Sequence, residues 1–280
     1  MKTVVYTSDK KTHFFQELKA IYKDIRSSNF LAYQMAKRDL QSQYRQSFLG
    51  FFWAFAPIVT NSLVWIFLNS SGTVNVNADS TMPYILFVII GTTLWSIFNE
   101  TLLIPLTSVN SARSILSKIN FPKEALLISG LYKMSFNLIL KLVFIIIILV
   151  IYRVNPGFEI LYFPLALFSI IIFSLTLGLL FTPIGLIYTD INKIITTGVS
   201  FLMYVTPVVY AVPKQGLFRK LFELNPLTFL FNDARNSLTG LANEHFLFAV
   251  ILTGVSFLVM LIGLVVFRKS MPIIIEKIGG

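Results

Sequence analysis

Cysteine is absent from the 280 residues, charge is scarce and histidine occurs only twice. The lack of cysteine excludes disulfides, cysteine metal sites and thiol nucleophiles, and it fits a reducing compartment. The two histidines, His13 and His245, lie far apart and outside the apolar blocks. A metal site, or a Cys/His or Ser/His nucleophile arrangement, therefore has no residues to be built from. There is no G-x-x-x-x-G-K-[ST] phosphate loop and no H-E-x-x-H. Carboxylates are almost missing from the apolar blocks, which removes the groups an intramembrane enzyme or a proton-coupled carrier needs. Together these absences describe a conduit rather than a catalyst.

What is present is hydrophobic sequence. Apolar residues make up 55% and charged residues 13%, with a mean hydropathy of +0.75; a soluble domain carries about 25% charge. The apolar residues gather in six blocks, roughly 48–68, 83–105, 126–152, 161–188, 194–212 and 246–267. Each reaches or nearly reaches the roughly 20 residues a spanning helix needs. The fifth is the weakest, interrupted by Pro207 and Pro213. The expected fold is an all-α integral membrane protein of six transmembrane helices. It forms one domain over 1–280: an N-terminal cytoplasmic or interfacial part (1–47), a six-span core (48–267) and a cytoplasmic tail (268–280).

The net charge of +10 belongs to basic loops held at an anionic cytoplasmic leaflet rather than to a nucleic-acid surface. With both termini inside, the cytoplasmic segments carry sixteen Lys/Arg and the external ones five. That is the asymmetry the positive-inside rule requires. Residues 1–47 hold nine Lys/Arg and no apolar run of signal-peptide length, so the N-terminus is expected to stay attached and inside. Residues 69–82 are rich in Asn, Ser, Gly and Asp and read as a short external loop. Over 13–26, Phe14, Phe15, Leu18, Ile21, Tyr22 and Ile25 recur at helical spacing, with Lys19, Lys23 and Arg26 elsewhere around the helix. The pattern fits an amphipathic helix in the headgroup plane, and equally a solvated helix packed on another subunit.

A few charges fall inside the blocks. Glu100 lies about 9 Å and Lys133 about 10 Å from the inner ends of consecutive antiparallel spans, at 1.5 Å per residue. They form the expected intramembrane pair, structural first and gating second. Lys141, near mid-membrane, has no partner nameable from sequence; it either faces a wet channel or pairs with a neighbouring subunit. Pro207, Pro213 and Pro226 break an apolar stretch before the last span. Broken helices at membrane depth need protein or water to satisfy the freed backbone.

Three ordered blocks carry a family resemblance. The first is "AKRDLQSQYRQSFLGFFWAFAP" (36–57), the second "SILSKINFPKEAL" (114–126). The third is "TPVVYAVPKQGLFRKLFELNPLTFLFNDARNSL" (206–238). In this order and spacing, from about residue 30 to the end, the chain resembles permease subunits of bacterial polysaccharide ABC exporters, which move O-antigen, capsule or teichoic acid. It departs from many relatives in reading Tyr188-Thr189-Asp190, where they place an Arg before the Asp.

The resemblance implies a homodimer in the bacterial cytoplasmic membrane, with two copies of a separate ATP-binding subunit that holds the ATP and Mg. It also implies outward movement of a lipid-linked polysaccharide between the two permeases. The 106–125 loop becomes a coupling helix, with Arg113, Ser117, Lys118, Asn120 and Lys123 as ATPase contacts. The segment around Pro207, Pro213, Asn225, Pro226 and Arg235 becomes an outer gate of short re-entrant helices, Arg235 being tied to Asp233 or to lipid phosphate. Aromatic faces stack on sugar rings, which makes Phe51, Phe52, Phe55 and Tyr204, with Lys141, the channel-lining candidates; single aromatics are also common facing lipid or at interfaces. The N-terminal helix would lie beside the lipid entrance. The rival function is a related permease exporting a drug or lipid.

Overall fold

A computed structural model describes residues 13–45, 50–73, 82–116, 118–119, 121–213 and 215–279. Every regular element among them is helical. The α-helices are α1 (Phe14–Arg45), α2 (Ala56–Ser70), α3 (Tyr84–Ser111), α4 (Arg113–Leu116) and α5 (Glu124–Ile151). They continue as α6 (Phe163–Ile187), α7 (Thr189–Leu202), α8 (Leu217–Leu224), α9 (Pro226–Thr239) and α10 (Phe246–Gly279), and short 3-10 turns precede α2 and α6 and follow α7.

Four of these, α3, α5, α6 with its leading turn, and α10, are long and apolar enough to cross a bilayer. The first and fifth apolar blocks behave differently. They yield α2 and α7, of 15 and 14 residues, or roughly 22 Å at 1.5 Å per residue against a hydrocarbon core of about 30 Å. Pro57 at the start of α2 and Thr206-Pro207 after α7 set these limits, because proline supplies no amide donor and disfavours helix in the residue before it. The N-terminal helix is longer than the 13–26 pattern indicates. It runs 32 residues to Arg45.

Helix boundaries follow local chemistry. Asn225 caps α9 by accepting from the Leu227 amide at 3.0 Å, Pro226 occupies its first turn, and Gly240 ends it in the left-handed region at φ 76. α5 starts at Glu124, with Lys123 between it and Phe121-Pro122, and α6 has Pro164 in its first turn.

α6 is the hub, packed between α3 and α10 and also against α7 and α9; α5 lies on α3, α2 runs along α3, and α1 leans on α5 and touches α10. α3 is the most buried crossing, with 72% of its apolar window inside the protein against 22% for α5 and α10. Those two outer helices present apolar stripes at helical spacing to the surroundings. Ile139, Val143, Ile146 and Val150 form one, and Leu247, Ile251, Val255, Leu258 and Ile262 the other. The stripes suit contact with lipid or a second protein. Between α3 and its neighbours, glycines allow close approach. A Cβ on Gly91 would strike the Val208 carbonyl, and one on Gly178 the Leu102 carbonyl.

The long helices gather their ends into two sets. One end joins α3 to α5 through α4 and ties α1, α5 and α10 together, because Arg268 contacts Glu17 (3.3 Å), Asp24 (2.7 Å) and Glu124 (2.6 Å). The opposite end carries α9, whose Gly240 sits against Asn155 and Pro156, and the Tyr162–Phe246 ring contact between α6 and α10.

Candidate functional site

The second half of α1, the 3-10 turn at Gly50–Ala54 and the first half of α5 enclose an open groove of about 750 Å³. Tyr33, Tyr44, Phe51, Tyr132 and Phe136 form its walls, with Lys37 and Arg45 among its lining. Its aromatics hold one another. Phe51 is 4.8 Å from Tyr44 and 5.8 Å from Phe136, and Tyr33 meets Tyr132 edge-on at 5.9 Å, centroid to centroid. The helix positions follow from a small-residue stripe on α1: Ser28, Ala32 and Ala36 are buried, so α1 lies close to its neighbours.

Polar groups extend from this groove into the protein. Tyr44 donates its hydroxyl to Asn137 Oδ1 at 3.4 Å, and Asn137 Nδ2 donates to Glu100 Oε1 at 2.5 Å. Lys141 Nζ donates to Glu100 Oε2 at 2.5 Å, and the lysine is 3% exposed. The expected Glu100–Lys133 pair is thereby corrected: Glu100 takes Lys141, while Lys133 donates to Asp39 of α1 at 3.0 Å. The packing of α5 on α3 brings Lys141 to Glu100, and the docking of α1 gives Lys133 a carboxylate of its own in Asp39. Burial pushes the Asp39 carboxyl up, but hydrogen bonds and charge from Arg38 and Lys133 outweigh it and hold the group below its ordinary value. Lys141, buried against Glu100 of the same chain, does not present itself to an open path.

The aromatic candidates differ in exposure. Phe51, Phe52 and Tyr204 stand about half in the open (52%, 50% and 52%). Phe55 packs on Phe144 at 5.4 Å. Phe51 is thus the member of the set that joins the groove.

The segment after α7 is organised around two side chains. Arg235, 2% exposed, donates to the carbonyls of Pro207 (2.7 Å) and Val208 (3.3 Å), with its guanidinium 3.6 Å over the Phe87 ring. Asn225 donates to Val205 O at 2.9 Å and Thr206 Oγ1 at 2.8 Å. These contacts satisfy backbone carbonyls of the irregular segment that follows α7, where the helical ladder has ended. Asp233 is held by His245 Nδ1 (3.1 Å) and the Tyr162 hydroxyl (3.2 Å), while Arg235 serves the Pro207–Val208 backbone. Asn225-Pro226 is recognisable in sequence as a helix start. The long-range role of Arg235 has no sequence signal. Pro213 lies in the irregular stretch before α8.

At the α4 end, the one-turn helix plants Leu116 in a core shared with Val109, Ala112, Leu126, Phe267, Met271 and Ile274. Lys118 and Ile119 are exposed at the turn, and Lys123 lies 4.6 Å over the Phe121 ring. Burial lowers the Lys123 ammonium from its ordinary value, with Glu124 opposing. Arg113 is half-buried beside Leu116. Ser117 and Asn120 lie outside the described residues.

Residues 31–239 match the protein family described as ABC-2 type transporter. The chain is similar to the "O-antigen export system permease protein RfbA" of Klebsiella pneumoniae, 23% identical over 240 residues, covering 84% of this chain and 90% of that protein. It is also similar to a protein of the same name from Myxococcus xanthus, 24% identical over 206 residues, covering 72% of this chain and 78% of the relative.

Proposed function

The chain belongs to the ABC-2 type transporter family, and on that premise we propose that it is the membrane subunit of an exporter that carries a lipid-linked polysaccharide outward across the cytoplasmic membrane. The observation that carries this reading is the groove between α1 and α5. Tyr33, Tyr44, Phe51, Tyr132 and Phe136 offer stacking faces for sugar rings, and Lys37 and Arg45 offer cations for a phosphate-bearing lipid headgroup. Similarity to permeases named for O-antigen export, over most of both chains, supports the same substrate class.

Energy comes from a separate ATPase subunit that binds ATP and Mg, docked on the α4 end. There Arg113, Lys118 and Lys123, with Ser117 and Asn120, are the proposed contacts. The chain crosses six times with both termini in the cytoplasm. α2, continuing the rise begun by the end of α1, and α7, continued by the irregular 203–213 segment, complete the first and fifth crossings. The excess of Lys/Arg on that side supports the orientation. α8 and α9 re-enter from the outer face as a gate held by Asn225 and Arg235. Two copies form the path, and Phe52 and Tyr204, open on the surface of one copy, face it.

Deleting the gene in its host is expected to strip the glycan from the cell surface, leaving the lipid-linked polymer inside. Epitope-tagged chain is expected to co-purify with an ATPase whose hydrolysis depends on it. An unchanged surface glycan would overturn the reading and favour a permease for drugs or other lipids.

A further inference from the structure

The polar chain behind the groove has a direction. Lys141 can only donate, and it donates to Glu100 Oε2; the other carboxyl oxygen, Oε1, accepts from the amide nitrogen of Asn137. That fixes the amide, and Asn137 turns its carbonyl oxygen to Tyr44, whose single hydroxyl proton is committed to it. Tyr44 lines the groove, and what its hydroxyl has left is an oxygen lone pair. The groove wall therefore offers an acceptor at this position, and phosphate, which also accepts, is not its complement.

The energetics support a purpose beyond stability. Lys141 is 3% exposed in an apolar block. Desolvating such an ion pair costs about as much as the pair regains, and an apolar pair of equal volume holds helices together as well. Retaining Lys141, Glu100 and Asn137 costs packing, and it delivers one oriented hydroxyl at the groove.

We infer that Tyr44 is the residue that reads a hydroxyl of the sugar next to the lipid diphosphate, and that Asn137, Glu100 and Lys141 are its positioning residues. The diphosphate is met by Lys37 and Arg45, and the ring is flanked by Phe51 and Phe136. The inference rests on the exporter reading of the groove and adds which atom of the headgroup is recognised and with which polarity. The 3.4 Å Tyr44–Asn137 contact is the longest link of the chain, leaving room for the ring to shift onto a ligand.

The test uses purified full-length protein in detergent and three probes: farnesyl diphosphate, farnesyl diphosphate bearing one glucose on its terminal phosphate, and UDP-glucose. The glucose-bearing lipid is expected to bind about tenfold tighter than the sugar-free one, from one hydrogen bond together with stacking of the ring. UDP-glucose, with the same diphosphate–sugar chemistry and no lipid, is expected to bind weakest. Tyr44→Phe keeps the ring and the stacking faces of Phe51 and Phe136, so it is expected to cut the ratio between the two lipids severalfold while leaving the sugar-free affinity in place. Asn137→Leu and the neutral pair Glu100→Gln with Lys141→Met are expected to do the same, and Asn137→Gln to restore part of the ratio. A role confined to packing would leave the ratio untouched. A tenfold ratio retained in Tyr44→Phe overturns the inference and spares the exporter reading. Failure of both lipids to bind the unaltered protein, or tighter binding of UDP-glucose, overturns the groove as a lipid-headgroup site and the inference with it.

Discussion

At the scale of single residues, the protein depends on a few side chains whose neighbours come from far along the chain. Gly91 is one: α3 meets the 207–208 backbone there, and a methyl group would strike the Val208 carbonyl and the Arg235 guanidinium. Neither can yield, because Arg235 is fixed between Phe87 and those carbonyls. Gly91→Ala is expected to destabilise by about 1–3 kcal/mol, the usual cost of overpacking, even though alanine favours the helix by about 1 kcal/mol. A lower midpoint of thermal unfolding in detergent checks this, and an unchanged midpoint would mean the segment is free to move. The same scale shows what sequence could not pair. Depth along the helix matches Lys133 to Glu100 and leaves Lys141, eight residues further on, with no partner. Only the crossing of α5 with α3, and the arrival of Asp39 from α1, assigns one lysine to each carboxylate.

At the scale of elements, α1 illustrates how much a helix owes to distant partners. Its charges separate by face. Glu17 and Asp24, seven apart, turn to Arg268 of α10, while Lys19, Lys23 and Arg26 line an open groove on the outside. Amphipathicity was legible in the sequence, but which face docks was not, and exposed Phe15 and Tyr22 are on the side the hydrophobic pattern would have buried. Arg268 is the cation shared by three carboxylates from two elements, one of them buried Glu124. Arg268→Ala is expected to cost about 3 kcal/mol, as when one member of a buried pair is removed. The loss should be local: hydrogen exchange is expected to rise along the first half of α1 while α3 and α6 stay protected. Uniform protection across α1 would show that the stripe of Ser28, Ala32 and Ala36 holds the helix by itself.

At the scale of the whole molecule, the proposed six crossings and inward termini can be read directly, because the absence of cysteine provides a clean background for labelling. Single cysteines at Gly72 and Glu244 are expected to react with a membrane-impermeant maleimide added to intact spheroplasts. Cysteines at Ser27 and Lys118 are expected to react only after permeabilisation. Labelling of Ser27 from outside would reverse the orientation, and protection of Gly72 would remove the first crossing. The exposed apolar stripes of α5 and α10 belong to this scale too, since they need lipid or a second copy to cover them.

The sequence by itself determined that this is a helical membrane protein, and its three ordered blocks pointed to the family that residues 31–239 then matched. Both kinds of information are local. Twenty apolar residues declare a span wherever they fold, and a motif is recognised by spacing along one chain. The partner of a buried charge and the wall of a groove depend on residues far apart in sequence and adjacent in space. The shortening of the first and fifth helices to 15 and 14 residues follows prolines within those blocks; what joins across the fold was left to the tertiary structure. Only it gave Glu100 to Lys141 and Asn137, and placed Tyr44 where that chain of hydrogen bonds reaches the surface.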